Sequence, residues 1–399
     1  MKKVLKTIVA IPVLAGLAAV PSMAADQLDL SGSMQVRAWA FDSDENDSSS
    51  YMDHRLRMYG IFNVNDNIQV HFRTDLSEAR WGDTNSKYGA GRMLDGNEIH
   101  TDRAFMQLEN DSYQFRAGLQ YIAFSPSGAI DNQDEGFSFT FKNETAPVQL
   151  VAMMTGDNAF EKAIFSEDWL YVFSVSPTFG NVSTDFFGGY FDGRDGSQDR
   201  EIYMAGAAAT FDVGMASITA ELNYFGGDWN DTIDVTGLQA WIGADVKVSD
   251  AFTLMPKFYY AKARDTDGTD KQLTAFGNDF GDWDPLYDMG FTNLNNEEMG
   301  LHRPFDFTGR GAGAIGASLT GAYQVSDALT VGAGINYITV EDDDIWDENQ
   351  FGLVAGMSYK FMGNARVDVQ VEYHDVNVDE PNQEDDEILQ AGVFLGVEF

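Results

Sequence analysis

Basic side chains recur at alternate positions in the first third of the chain. Guanidinium groups gathered on one face create a positive field that attracts anions, so these residues are the first candidates for a chemical role. On a wide polar surface the same groups would do no more than hold water. The set comprises Arg37, Arg55, Arg57, Arg73, Arg103 and Arg116.

Carboxylates with matching alternation occur later in the chain. The set is Asp185, Glu221 and Asp245, with Asp368 and Glu372 closer to the C-terminus. If the early and late segments face each other, the two sets place a transverse field across the space between them. A further acidic group lies between residues 122 and 136, in a polar stretch that we predict to be a long loop. Its members are Asp131, Asp134 and Glu135.

Residues for catalysis or metal binding are few. The chain has no cysteine, which excludes thiolate nucleophiles, disulfides and Cys-ligated metals. His374 beside Asp375 is a candidate acid–base pair, but adjacent side chains on a strand point to opposite faces. Asp265 opens a stretch that resembles a calcium loop, yet its twelfth position is Phe276 where a bidentate Glu is required. We therefore assign no catalytic residue, no metal and no cofactor.

The elements that position these residues are β-strands. Between residues 55 and 77, apolar and polar side chains alternate with a period of two, interrupted only by the turn Asn65-Asp66-Asn67. Similar units recur to the C-terminus and give eighteen predicted strands. They are 27–42, 51–65, 68–77, 99–109, 113–121, 137–142, 148–154, 168–176, 182–191, 200–211, 216–226, 235–248, 253–264, 310–325, 329–340, 351–361, 366–376 and 387–399.

The predicted connections alternate between short turns and long polar loops, and aromatic residues gather at both ends of the strands. Short turns at one rim and long loops at the other, with two aromatic girdles, are typical of a membrane β-barrel. The longest connection, residues 265–309, exceeds ordinary loop lengths and suggests a plug, a lid or a hidden hairpin.

Composition and the N-terminus restrict the possible classes. The 399 residues include 25 Lys and Arg against 63 Asp and Glu, for a formal charge of -38, which disfavours nucleic acid as a partner. Aromatic residues at 13% argue against a disordered acidic chain. Lys2, Lys3 and Lys6 precede an apolar run and then Ser22-Met23-Ala24, which predicts a cleaved signal peptide at 1–24. Residues 25–399 then form one domain.

The signal peptide, the alternating hairpins and the last strand ending at Phe399 together resemble the Gram-negative outer-membrane porins. The resemblance implies an all-β fold, a transmembrane antiparallel up-and-down barrel of about eighteen strands, with sixteen or twenty as alternatives. It implies a water-filled channel for passive diffusion of ions and small hydrophilic solutes, reached by export through the periplasm. Contact with lipid and lipopolysaccharide and a homotrimer are further expectations.

In porins of this kind an acidic third loop folds inward opposite an arginine cluster, which implies the same for residues 122–136. The Pro-Glu-Phe-Gly-Gly motif of many general porins is absent, so residues 265–309 remain a rival constriction. Three other functions stay open: a substrate-specific channel for sugars or small anions, a barrel hydrolase, and a structural barrel plugged by the long segment. The aromatic track of the specific channel would be Trp39, Phe41, Tyr59, Phe105 and Trp241.

Overall fold

The structure is a computed structural model that describes most of the chain after residue 26. The described residues are 27–45, 48–81, 100–126, 128–155, 168–193, 200–264, 270–272, 290–292, 294, 311–381 and 383–399. The predicted signal peptide lies outside them, as does most of the segment 265–309.

Twenty strands account for most of the described residues. Alternating side chains form each long strand, and Asn, Asp, Ser and Gly residues make the turns between them. The strands are β1 (Leu28–Ser43), β2 (Ser49–Asn65), β3 (Ile68–Arg80), β4 (His100–Glu109), β5 (Tyr113–Phe124), β6 (Ile130–Phe141), β7 (Val148–Met154), β8 (Trp169–Val175), β9 (Thr178–Phe179), β10 (Val182–Gly193), β11 (Arg200–Val213), β12 (Ala216–Asn230), β13 (Ile233–Lys247), β14 (Phe252–Ala261), β15 (Lys271–Gln272), β16 (Ala314–Gln324), β17 (Leu329–Thr339), β18 (Glu348–Phe361), β19 (Ala365–Val378) and β20 (Asp386–Glu398).

Eighteen of these strands close into one antiparallel barrel. Each long strand pairs with the next long strand, and β1 pairs with β20 as well as with β2, for example Met34 with Val397. The two-residue strands β9 and β15 add to β10 and β13 without entering the ring. Closure removes both sheet edges, and the prediction of an eighteen-stranded barrel is confirmed.

Chain neighbours face opposite environments across the barrel wall. Leu222 is 52% exposed on the outer face, whereas Asn223 next to it is fully buried on the inner face. Leu389 and Gln390 repeat the pattern at 50% and 1%. An outer face of exposed aliphatic side chains around a polar interior requires a lipid environment outside. No helix in the described part of the chain is long and apolar enough to cross a membrane.

The two rims differ, and exposed aromatic side chains mark both. The short-turn rim carries both ends of the described chain together with Tyr113, Phe141, Phe179, Tyr323, Tyr359 and Phe399. The long-loop rim carries Tyr171, Tyr190, Tyr203, Tyr224, Tyr337 and Phe351. These belts match the expected positions of the two membrane interfaces.

Two predicted loop boundaries are wrong. The connection expected at 227–234 is a tight turn of two residues, because β12 and β13 extend to Asn230 and Ile233. The expected loop 122–136 is mostly strand, since β5 continues to Phe124 and β6 begins at Ile130. Asp131, Asp134 and Glu135 therefore lie on β6. Their polar character suggested a loop, but they pair in register with β5.

Candidate functional site: the barrel lumen

The ends of β5 and β6 leave the barrel wall and form a hairpin inside the lumen. Pairing of β4 with β5 stops at Leu119, and pairing of β6 with β7 stops at Glu135, while β5 and β6 continue to pair with each other. We call residues 119–126 and 128–135 the inner hairpin. Gly118 and Gly136 face each other where it departs.

Glycine is required at this departure point for two reasons. Gly118 has φ +127°, a backbone conformation that residues with a Cβ rarely adopt. A Cβ on Gly118 would also lie 2.4 Å from the carbonyl oxygen of Ala104, and one on Gly136 would lie 2.3 Å from that of Ala152. The paired glycines thus let both strands bend inward at the same height.

The inner hairpin packs its apolar side against the opposite inner wall. Ile122, Phe124 and Ile130, all at most 5% exposed, belong to one buried cluster with inward side chains of β7, β8 and β10 to β13. The wall members of this cluster are Val151, Met153, Leu170, Val172, Phe187, Ile202, Met204, Phe225 and Val235. Because each fully buried side chain of this size contributes roughly 1.5–3 kcal/mol, the hairpin is held firmly against the wall.

The three candidate constriction acids lie on two different faces of the inner hairpin. Cross-strand partners share a face, and Asp134 pairs with Gln120, which is 1% exposed on the packed side. Asp131 and Glu135 lie on the other side, where Glu135 is exposed to the lumen and the hydroxyl of Tyr121 donates to Asp131 at 2.9 Å. Two of the three acids therefore face the passage. Tyr121 lies on the same inner side as Asp131.

All six arginines lie on the inner face of β1 to β5, but carboxylates of the same wall neutralise part of their charge. The Nε of Arg37 donates to Asp53 at 2.6 Å, and its Nη2 lies 3.6 Å from Glu78. Arg37 is 3% exposed. Its charge is thus satisfied within the wall before any solute arrives.

A second ion-paired group lies beside the first. Arg57 contacts Asp75 at 2.8 Å and Asp102 at 3.0 Å, and Asp102 also accepts from the Nε of Arg73 at 2.8 Å. Carboxylates of the same wall, and not only those of the later strands, therefore face the arginines. Asp53 and Asp75 share the parity of the arginines, whereas Asp102 reaches them through an irregularity between Arg73 and Thr74 in the pairing of β3 with β4.

Arg103 and Arg116 differ from these, because neither forms an ion pair in the described part of the chain. The guanidinium of Arg103 lies 4.9 Å from the ring centre of Tyr121, and that of Arg116 lies 5.2 Å from Phe105. The Nε of Arg116 donates to Gln107 at 2.8 Å. These two groups are the basic charges with the most capacity left for a solute. Arg55 lies near Gln35, with its Nη2 3.3 Å from the amide oxygen.

The predicted opposing acids are dispersed. Asp185 accepts from Ser176 at 2.9 Å and from the backbone of Ser125 at the tip of the inner hairpin. Glu221 is 4% exposed and accepts from Trp241 at 3.2 Å. Asp245 is exposed near the short-turn rim. The hairpin thus lies against part of the wall that bears these acids, which separates Asp185 from the arginines.

A second segment enters the lumen from the long connection between β14 and β16. Leu294, 1% exposed, forms a buried cluster with Trp39 and Phe394. The hydroxyl of Thr292 donates to Gln370 at 2.7 Å. The rival constriction segment therefore also reaches the inner wall, on the side of β19, β20 and β1. Trp39 is 5% exposed and offers no free ring face to an aromatic track.

Sequence reasoning missed a buried polar network on β18 to β20. The amide of Gln350 lies 2.7 Å from Nδ1 of His374, whose Nε2 lies 3.0 Å from Glu372. Gln390 donates to Glu372 at 3.1 Å. His374 therefore pairs two residues along the strand and not with its neighbour Asp375. The sequence pattern could have predicted this network, since residues 350, 372, 374 and 390 all occupy inward-facing positions of their strands.

Among the described residues, His54 contacts Ser77 on the outer face near the long-loop rim. Nε2 of His54 lies 2.8 Å from the hydroxyl of Ser77, and Nδ1 of His54 accepts from the indole N–H of Trp81 at 2.9 Å. An indole nitrogen can only donate, so the neutral imidazole carries its proton on Nε2 and donates toward Ser77. This arrangement cannot remove the serine proton as a hydrolase requires. No group of three or more metal-ligating side chains forms among the described residues.

Comparison with known proteins supports the architecture. No protein-family model matches the chain, and no curated protein sequence matches it. Solved structures do match: OpdL of Pseudomonas aeruginosa has a TM-score of 0.59 at 10% identity, covering 93% of this chain and 98% of that one. OccAB1 of Acinetobacter baumannii gives 0.58 at 13%, covering 93% and 97%. OccK10 (OpdN) of Pseudomonas aeruginosa gives 0.57 at 9%, covering 93% and 99%. They share its fold.

Proposed function

We propose that the protein is an outer-membrane porin, a channel for passive diffusion of ions and small hydrophilic solutes. The observation that carries the proposal is a closed eighteen-stranded barrel whose outer face is apolar and whose inner face is polar. A barrel of this size encloses more space than its own wall side chains fill. Its lumen can therefore hold water across the membrane.

The mechanism combines a narrowed passage with electrostatic sorting. The inner hairpin occupies the side of the lumen against β7 to β13, which leaves solutes the side lined by the arginines. The Nη2 of Arg73 donates to Gln133 of the hairpin at 3.0 Å, so wall and hairpin meet there. Solutes too large for the remaining space are excluded, and ions are sorted by Arg103, Arg116, Asp131 and Glu135.

The membrane setting completes the proposal. We place the short-turn rim in the periplasm and the long-loop rim outside the cell, in line with barrels whose periplasmic turns are short. Residues 1–24 direct export as a signal peptide, and residues 25–399 are the mature domain. The outer surface contacts lipid and lipopolysaccharide, and a homotrimer is the expected assembly. No enzymatic activity is proposed.

Permeation of neutral sugars into proteoliposomes tests this function. Vesicles containing the barrel should swell in sugars of graded size, fast for the smallest and progressively slower for larger ones, because exclusion acts through the width of the passage. Swelling rates that are independent of size, or equal to those of empty vesicles, would contradict a diffusion channel.

Basic and aromatic side chains lie in contact with each other on the inner face of β3 to β5. They favour a second candidate function, a channel specific for small anions. His71 stacks on Phe105 at 4.8 Å between ring centres, the guanidinium of Arg116 lies over the ring of Phe105, and that of Arg103 lies over the ring of Tyr121. A specific channel contains a saturable site, whereas a passive one does not. Current that is blocked progressively by one organic anion, but not by a sugar, would support this candidate over general diffusion.

A further inference from the structure

An apolar groove crosses the outer face of β14 and β16 to β19. Its floor consists of directly paired residues with small side chains, Gly321, Ala333 and Ala355, between Leu254 and Val371. The groove has a volume of about 610 Å³. All backbone groups along the floor are paired within the sheet, so the groove presents no free hydrogen-bonding edge.

Larger side chains form the sides of the groove and close one end of it. Leu319, Ile335 and Leu353 line the side toward the long-loop rim and lead to Tyr373. At the β14 end the ring of Phe252 stands close to Gly321, where an added Cβ would lie 3.1 Å from it. The groove is therefore closed near the short-turn rim and continues toward Tyr373 on the long-loop side. Among the residues that the structure describes, no charged side chain lines it.

The dimensions distinguish between possible occupants. Five strands spaced about 4.8 Å apart give the floor a length of about 19 Å, and a width of two residues is about 7 Å. The contact area of the floor is then on the order of 130 Å², whereas a stable protein interface buries about 800 Å² of surface on each partner. A second copy of the barrel would need much more surface than the groove provides, whereas a single flexible hydrocarbon chain needs no more.

We propose that this groove binds one acyl chain of a lipid in the leaflet at the long-loop rim. The chain enters beneath Tyr373 and ends against Phe252, and it covers floor residues too small to reach the surrounding lipid. The driving force is close contact between the chain and the recessed wall, since bulk lipid packs poorly into a recess of this width. The inference rests on the membrane location of the barrel and not on its transport activity.

The test uses a phospholipid with a nitroxide label on one acyl chain, reconstituted with the full-length barrel. Ala333→Leu with Ala355→Leu fills the floor, and Ala205→Leu with Ala209→Leu makes the same change on the outer face of β11. Electron spin resonance measures motionally restricted lipid per barrel. We expect the restricted fraction to fall in the groove variant and to persist in the β11 variant. Ala355→Leu alone provides a milder version should the double variant fold poorly.

Three results would overturn the inference. The first is an equal restricted fraction in both variants and the unmodified protein. The second is motional restriction of the nitroxide-labelled lipid only when that lipid is confined to the leaflet at the short-turn rim. The third is dissociation of a detergent-solubilised oligomer by the groove variant alone, which would assign the groove to another copy of the chain. Channel currents are recorded on the same preparations, so a failure of the proposed function is seen separately.

Discussion

Replacing Arg103 by Gln should shift the channel toward cations. Arg103 lies on the inner face, forms no ion pair in the described part of the chain and lies over the ring of Tyr121. An anion about 4 Å from a guanidinium gains about 1 kcal/mol in bulk water. Screening over about 8 Å at 0.15 M salt reduces this to roughly half. A cation is disfavoured by a similar amount, so the cation-to-anion permeability ratio should rise about five-fold, since 1.4 kcal/mol is tenfold.

The assay is the reversal potential across a planar bilayer under a salt gradient. Arg103→Lys keeps the charge and should keep the reversal potential of the unmodified protein. Repeating the Arg103→Gln measurement near 1 M salt should shrink the shift, because screening then acts over about 3 Å. A reversal potential unchanged by Arg103→Gln, or moved toward anions, would refute the assignment of this charge to the permeation path.

Three other changes test the architecture of the lumen. Arg57→Met leaves the buried carboxylate of Asp75 without its ion-pair partner, whereas Asp102 keeps its contact with Arg73. The change should cost about 3–5 kcal/mol in urea unfolding from lipid vesicles, with partial recovery when Asp75→Asn is added. No loss would contradict a structural ion pair. Phe124→Ala should weaken hairpin docking by about 3–5 kcal/mol and increase open-channel current noise. Gly118→Val should lower the fraction that folds, seen as heat-modifiable gel mobility, whereas Gly188→Ala should not.

Alternation along the sequence was enough to predict the barrel, because burial has a period of two wherever one face meets lipid and the other meets water. The last strand illustrates this: Leu389 and Leu395 are exposed outside, and Gln390 lies inside. Parity also placed the six arginines on the inner face. Strand ends were predicted less well where polar residues continue a strand, as in Asp131 to Glu135.

The inner hairpin was harder to predict, since its location depends on contacts between distant strands. One signal was present. β7 and β8 are apolar at inward as well as outward positions, for example Val151, Met153, Leu170 and Val172. Strands that are buried on both faces have continuous apolar sequences. The sequences of β7 and β8 therefore indicated that another segment of the chain covers their inner face.

Charge neutralisation within the arginine wall could be predicted only in part. Asp53 and Asp75 share the inward parity of their arginine partners and could have been assigned to the wall. Asp102 has the opposite parity, and the irregularity between β3 and β4 brings it to Arg57 and Arg73. Such shifts in register depend on how two strands pair. The alternation of side chains along a single strand cannot predict them.

We expect water and ions to pass through this barrel despite the two inserted segments. Single-channel recording from the purified, full-length protein in a planar bilayer tests it most directly, with insertion verified independently. An open channel should give discrete, long-lived current steps whose conductance rises with salt concentration. Repeated absence of current from inserted protein would contradict it and would mean that the inner hairpin and the segment containing Leu294 plug the barrel.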